Sequence, residues 1–223
     1  MQSRKSKKVL IYIFLLILFG SINNINLNES KLKQIQKINI FGLNKEENKL
    51  LLKKIENLNL ENIFLINKKD LNELINSNSL VEKYEIFKRY PNTIEVKIDK
   101  TNFFAKINKN GKIFLIGSNG KLTPAKFNNH DLPFIFGKPN INEFLNFKKK
   151  IDKSNFLYEQ IEELYFFPSK RWDLKLKSNI LLKLPNNFKQ EALNNLNKFL
   201  KNYDGEKFTL IDARIENQII LNE

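Results

Sequence analysis

The feature that most constrains this chain is an uninterrupted apolar run close to its N-terminus. Residues Val9–Phe19 are all apolar, and the run extends to Ile22 across one glycine and one serine. No acidic residue occurs before Glu29. The residues that precede the run are basic: Arg4, Lys5, Lys7 and Lys8. A basic leader followed by an apolar run is typical of a segment that directs export across a membrane.

Two interpretations of this segment stay open, a cleaved signal peptide and an uncleaved signal anchor. The fourteen residues from Val9 to Ile22 would span about 21 Å as a helix, which is short for a bilayer core of about 30 Å. Length therefore favours cleavage, but no small-x-small cleavage site follows, which favours the anchor. We predict a basic tail at residues 1–8 and a transmembrane signal anchor at residues 9–27. Either interpretation exports the chain from about residue 28 onward.

The scarcity of cysteine and histidine excludes most kinds of catalytic site. The chain has 223 residues, no cysteine and one histidine, so disulfides, thiolate metal sites and Ser-His-Asp or Cys-His machinery are excluded or lack their parts. His130 lies in a polar loop without a second candidate ligand, and Glu162 and Glu163 are neighbours that point apart. We therefore predict no enzymatic activity, no metal and no cofactor.

The net charge of +14 raises the question of a nucleic-acid partner. The basic residues are 34 lysines and only 4 arginines, and they are distributed along the chain. Arginine is the residue whose guanidinium forms bidentate hydrogen bonds with phosphates and base edges. Its scarcity therefore favours a lysine-rich solvated surface. We predict no nucleic-acid partner.

The first exported part has a compact β-α-α-β-β pattern. Residues 37–41 predict a strand, and Asn44 with Glu47 forms a capping box that begins a helix. A second helix is predicted to begin near Asn67. Alternating apolar residues then predict two strands joined at Pro91-Asn92. After a tether at residues 28–35, we expect residues 36–101 to form a three-stranded sheet covered on one face by two helices.

Residues 102–223 predict a mostly antiparallel β domain with a late helix, so the predicted fold class of the whole chain is α+β. Asn110-Gly111 and Asn119-Gly120 are hairpin dipeptides. Trp172, Leu174 and Leu176 alternate and are expected to face inward. Further predictions are a loop and short strand within Asp131–Gly137, a helix at 141–151 with Lys148–Lys150 as a solvated face, a late helix capped by Asn186 or Asn187, a strand at Phe208–Ile215 and a last strand at Ile219–Leu221.

Several short motifs occur in order along the chain. They are Ile38-x-Ile40-x-Gly42, Ile86-x-Lys88-x-Tyr90-Pro91-x-Thr93-Ile94, Leu132-Pro133-x-x-x-Gly137, Arg171-Trp172-Asp173-Leu174 and Ile211-Asp212-x-Arg214. Their order resembles that of the bacterial FtsQ/DivIB cell-division family, whose first exported module is a POTRA domain, and the likeness covers roughly the whole chain.

The resemblance implies a non-enzymatic scaffold of the division septum, a single-pass inner-membrane protein with its C-terminus in the periplasm. It implies FtsB and FtsL as partners, bound through the last-strand region. An edge strand leaves backbone groups unpaired, and a partner strand can add there. The resemblance implies four partner-binding residues, Arg214, Ile215, Glu216 and Asn217. Arg214 would pair an acidic partner residue, and Ile215 would be an apolar anchor where family members often have an aromatic residue.

Other interpretations remain possible at this point. Ile211, Ala213 and Ile215 alternate and are also what an ordinary core strand would show. Another POTRA-bearing envelope adaptor and a basic exported nucleic-acid binder are the alternative functions. Too few residues follow the first module for further POTRA repeats or a membrane barrel.

Overall fold

The computed structural model describes residues 3–22, 34–58, 60, 62–64, 66–125, 131–202, 208–215 and 218–222. The chain forms two compact units, Met1–Leu74 with Glu85–Lys97 and Ile75–Tyr84 with Ile98–Glu223. His130, which the sequence predicts to be a surface residue, lies outside the described residues.

The N-terminal helix α1 runs from Ser3 to Ile22. Its large apolar side chains from Val9 to Phe19 are between 39% and 75% exposed. Among the residues described, no helix is both long and apolar enough to cross a membrane. The predicted span at 9–27 is therefore not supported by the structure, and its last five residues lie outside the described part.

The predicted β-α-α-β-β module is present. Its elements are β1 (Lys37–Phe41), α2 (Lys45–Glu56), α3 (Lys68–Ser77), β2 (Val81–Arg89) and β3 (Thr93–Lys100). The sheet has the order β1-β3-β2, and β1 runs parallel to β3.

Local chemistry explains where the helices of this module begin. Asn44 Oδ1 accepts the Glu47 N–H at 2.8 Å, and the Glu47 carboxylate accepts the Asn44 N–H at 3.2 Å, so the predicted capping box is confirmed. Asn67 caps α3 by accepting the Lys69 N–H at 3.0 Å. Buried apolar residues lie on α2, α3 and β3: Leu51, Ile55, Leu71, Ile75, Ile94, Val96 and Ile98. Exposed residues alternate with the buried ones on β3, so the sheet is covered on one face as predicted.

The second part contains a nine-stranded sheet in the order β12-β11-β10-β9-β8-β7-β4-β5-β6. The strands are β4 (Phe103–Lys109), β5 (Lys112–Gly117), β6 (Leu122–Pro124), β7 (Phe134–Phe136), β8 (Ile161–Phe166), β9 (Trp172–Leu176), β10 (Leu181–Lys183), β11 (Leu210–Asp212) and β12 (Ile220–Leu221). The helices are α4 (Ile141–Asp152), the 3₁₀ turn Tyr158–Gln160 and α5 (Gln190–Asn202). Antiparallel pairs outnumber parallel ones, as the sequence predicts.

The core of the large sheet is organised around Trp172, which is 5% exposed. Its ring stacks on Phe147 with centroids 4.6 Å apart and packs against Phe166 at 4.8 Å. Leu174 and Leu176 are buried on the same strand. The alternation predicted for β9 is therefore confirmed, and Trp172 is a core residue.

Lys148 departs from the prediction of a solvated lysine face, because it is only 9% exposed. Its Nζ lies 4.7 Å and 4.3 Å from the ring centroids of Phe104 and Tyr158, and 2.5 Å from an Asp152 carboxylate oxygen. The position follows Phe144 by four residues and therefore lies on the buried stripe of α4. Two aromatic faces and one carboxylate satisfy its charge there.

The predicted cap of the late helix is wrong, because α5 begins at Gln190 rather than next to Asn186 or Asn187. Asn187 Oδ1 instead accepts a hydrogen bond from Lys150 Nζ at 3.1 Å. Phe188 is buried in the core. The helix begins two residues after this buried phenylalanine.

Candidate partner-binding site

One of the two edges of the large sheet lies at β12, and the other lies at β6. Strand β11 pairs in parallel with β10 and antiparallel with β12, with Asp212 opposite Ile220 and Ile211 opposite Leu221. Asn222 reinforces this pairing, since its Oδ1 accepts the Leu210 N–H at 2.6 Å. The outer edge belongs to the two-residue β12, and not to the strand predicted at Phe208–Ile215.

The predicted strand is also too long, since β11 covers only Leu210–Asp212. Asp212 Oδ1 accepts the backbone N–H of Arg214 at 3.1 Å. A side chain that accepts the N–H two residues ahead forms an Asx turn, which competes with strand pairing. Arg214 and Ile215 consequently lie beyond the strand, in the segment that leads to β12.

The Arg214 guanidinium folds back onto the Asp212 carboxylate. Nε lies 2.8 Å and 2.9 Å from the two carboxylate oxygens. Asp212 is 9% exposed as a residue, whereas the Arg214 side chain is 46% exposed. Hydrogen bonds from Arg214 lower the pKa of the Asp212 carboxyl. A guanidinium has five N–H donors, so Arg214 retains donors for a partner while it holds Asp212.

A second arginine–aspartate pair lies in register with the first. Lys183 of β10 is aligned with Asp212 on β11 and with Asp173 on β9. Arg171 Nε and Nη2 donate to Asp173 at 3.0 Å and 3.3 Å. Three adjacent strands thus carry a row of alternating charges. Sequence reasoning missed this row, although the mirrored Arg-x-Asp and Asp-x-Arg spacings could have indicated it.

A groove of about 680 Å³ lies next to Arg214 and Ile215. On the other side it is lined by residues of α5 and the segment before it, including Phe188, Ala192 and Leu196. Ile215 is 55% exposed. Ile215 is therefore not a core position, and it borders a groove whose walls carry both apolar and polar side chains.

The arrangement offers a strand edge, a half-exposed guanidinium and a groove of mixed polar and apolar lining in one place. It can accept an extended segment that carries an acidic side chain and an apolar side chain. Of the four residues predicted to bind a partner, the structure brings Arg214 and Ile215 together, and Glu216 and Asn217 lie outside the described residues. Within the described ranges, no group of three His, Cys, Asp or Glu residues could hold a metal ion.

Comparison with known protein families decides the relationship. A family model described as "Cell division protein FtsQ/DivIB, C-terminal" matches residues 97–214, more than half of the chain. The chain belongs to the FtsQ/DivIB family. A second model, "POTRA domain, FtsQ-type", matches residues 33–100. The resemblance seen in the sequence motifs is therefore confirmed, and the chain is a member of a cell-division family.

A curated FtsQ/DivIB relative is the cell division protein DivIB of Bacillus subtilis (strain 168). It is 28% identical over 114 residues, which cover 50% of this chain and 43% of the relative. The alignment thus spans less than half of the relative's length. The C-terminal FtsQ/DivIB match ends at Arg214, so Ile215, Glu216 and Asn217 lie beyond it.

The Arg214–Asp212 pair predicts a measurable titration. In carboxyl NMR of the chain, Asp212 is expected to titrate below the ordinary aspartate value of about 3.9, because Arg214 stabilises its charged form. The folded pKa lies below the unfolded one, so the stabilisation is complete above about pH 4 and is lost as pH falls through the folded value. Arg214→Gln should raise the pKa of Asp212, and Arg89→Gln should leave it unchanged. An Asp212 that titrates at or above about 3.9 in the parent chain would contradict the pairing.

Proposed function

We propose that this FtsQ/DivIB protein is a scaffold of the divisome that bridges division proteins at the septum by strand-edge interaction with FtsB/FtsL-like partners. The proposal rests mainly on one observation: Arg214 lines the groove, and both lie at the end of the sheet that β12 forms. The proposal contains no catalytic step. Each of its contacts is of a kind that protein–protein recognition uses.

The first contact is main-chain pairing on the outer side of β12. Ile220 and Leu221 pair with β11 on one side only, as far as the described residues show. A partner strand that added to the other side would gain backbone hydrogen bonds in an ordinary ladder. Ile220 is 45% exposed and would pack against alternate side chains of that strand.

The second contact is electrostatic. Arg214 holds a nearly buried carboxylate, so breaking that pair would remove the hydrogen bonds that stabilise the charge of Asp212. We therefore propose that Arg214 keeps Asp212 and offers its remaining N–H groups to an acidic side chain of the partner. A guanidinium shared by two carboxylates fixes the register of the partner strand more than it adds affinity.

The third contact is apolar. Ile215 and Ile219 stand 55% and 36% exposed at the groove. An apolar partner side chain inserted between them and Leu196 would be enclosed on several sides, as anchoring side chains are. Glu216 and Asn217 follow directly in the sequence, and we propose that they also bind the partner.

We further propose that residues 9–27 anchor the chain in the membrane, with residues 1–8 in the cytoplasm and the POTRA domain (36–101) and β domain (102–223) on the exported side. The basic leader and the row of exposed apolar side chains on α1 support this topology. In a cell with two membranes the location would be the inner membrane, with the C-terminus in the periplasm.

Localisation with depletion tests the proposed function. A fluorescent fusion is expected to form rings at mid-cell, and depletion is expected to produce filamentous cells. Re-expression of the parent chain should restore septation and serves as the control. An even envelope signal together with normal division after depletion would reject the divisome role.

A further inference from the structure

Two exposed aromatic rings stack on each other in the POTRA domain. The centroids of Phe64 and Tyr90 are 5.1 Å apart with an interplanar angle of 25°. The residues are 57% and 60% exposed, although aromatic rings of this size normally contribute to cores and interfaces. The pair is therefore an exposed apolar patch with a polar tip at the Tyr90 hydroxyl. Exposed apolar patches mark sites of interaction with proteins, ligands or membranes.

The patch lies at the end of the domain where the chain arrives from α1. Gln34 forms a bridge with Asn62, two residues before Phe64. The backbone N–H of Gln36 donates to the carbonyl of Asn92 at 2.9 Å, two residues after Tyr90. The first described residues of the domain are thus held beside both rings.

Only residues 23–33 separate α1 from this end of the domain. A trans backbone extends by at most about 3.6 Å per residue, so Gln34, which lies beside the patch, stays within about 45 Å of the end of α1 whatever path that segment takes. If α1 is anchored in a bilayer, the patch is confined to the neighbourhood of the bilayer surface at a high effective concentration.

Two lysines lie near the rings. Lys88 Nζ lies 3.5 Å from the Phe64 carbonyl oxygen, and Lys37 is exposed beside the Asn92 contact. Arg89 is also exposed but is compensated by Glu95 at 3.1 Å. Lysines next to exposed aromatic rings match the phosphates and the polar boundary of an anionic lipid surface.

We propose that the Phe64–Tyr90 patch, with Lys37 and Lys88, docks on the surface of an anionic lipid bilayer. The rings would lie at the level of the headgroups, and the lysines would contact lipid phosphates. The inference rests on the proposed membrane anchoring. It adds a second membrane contact, which would orient the POTRA domain.

The test uses fluorescence quenching in the full chain. Trp172 is the only tryptophan and is buried, so a tryptophan introduced at an exposed site reports on that site over a low background. The Phe64→Trp variant would be reconstituted in vesicles that contain phosphatidylglycerol and nitroxide-labelled lipid headgroups. The matched control is Phe41→Trp, because Phe41 is also an exposed aromatic residue but ends β1 at the opposite end from Lys37.

We expect quenching of the Phe64→Trp signal to exceed that of Phe41→Trp several-fold in anionic vesicles. The difference should shrink in phosphatidylcholine vesicles, at high salt, and when Lys88→Glu is added. Tyr90→Trp should repeat the result from the other ring. Equal quenching at the two sites, or quenching that is the same with and without anionic lipid, would overturn the inference. Flotation separates the two hypotheses: a chain that does not float with vesicles refutes the anchoring, whereas a floating chain without selective quenching refutes only the docking.

Discussion

Replacing Arg214 with glutamate is expected to weaken binding of an FtsB-like partner by about tenfold or more. The substitution places a carboxylate where the partner's acidic side chain is proposed to lie, so attraction becomes repulsion. It also removes the guanidinium that donates hydrogen bonds to Asp212, which is 9% exposed. Pull-down or biolayer interferometry with the FtsB-like protein of the same cell measures the effect.

The matched control is Arg89→Glu, because Arg89 is likewise an exposed arginine paired with an acidic neighbour, Glu95, at 3.1 Å. It lies in the first unit, and its reversal should leave partner binding unchanged. Arg214→Lys keeps the charge but loses the planar fork, and an intermediate loss is expected. Circular dichroism and Trp172 fluorescence establish that each variant is folded. Undiminished binding by a folded Arg214→Glu variant would rule out the proposed contact.

Replacing Gly137 with alanine is expected to destabilise the large sheet by about 3 kcal/mol or more. Gly137 has φ +98, and an added Cβ would lie 2.2 Å from the carbonyl oxygen of Phe166. That oxygen belongs to the last residue of β8, whose pairing with β7 holds the centre of the sheet. The alanine can be accommodated only if the backbone moves. Urea denaturation followed by Trp172 fluorescence measures the change in the free energy of unfolding.

Gly111→Ala is the matched control for this prediction. Gly111 also has a positive φ of +77, but nothing lies within 4 Å of the position where its Cβ would be. Its replacement should lower the free energy of unfolding by only about 1–2 kcal/mol, which is the cost of a left-handed backbone conformation for a residue with a Cβ. If Gly137→Ala costs no more than Gly111→Ala, the close approach to Phe166 does not limit the packing of β7 and β8.

The site illustrates why an edge cannot be predicted from one strand. The apolar alternation of Ile211, Ala213 and Ile215 predicts a strand, and the residues have the right types for it. The strand stops at Asp212 because Arg214 turns back on that side chain. Its outer edge is covered because Ile220 and Leu221 return to pair with it. The turn and the return both depend on contacts that hydrophobic periodicity does not contain.

Lys148 and Phe188 give the same lesson for helices. Lysine in a run of three predicts a solvated face, and asparagine before a helix predicts a cap. Lys148 is instead enclosed by Phe104 and Tyr158, which come from other elements of the fold. Helix α5 begins at Gln190, and Phe188 before it is buried in the core against Phe147. Each failure occurs where a residue from a distant part of the chain supplies the decisive contact.

The sequence by itself determined the elements whose causes are local. These are the capping box at Asn44, the hairpin at Asn110-Gly111, the alternation on β9 and the motif order that indicates the FtsQ/DivIB family. Only the tertiary structure decided which strand forms the edge, that Arg214 pairs with Asp212, and that the ring of Phe64 stacks on that of Tyr90. The physical reason is range: caps, turns and periodicity depend on residues within a few positions, whereas edges, ion pairs and surface patches depend on segments that meet only after folding.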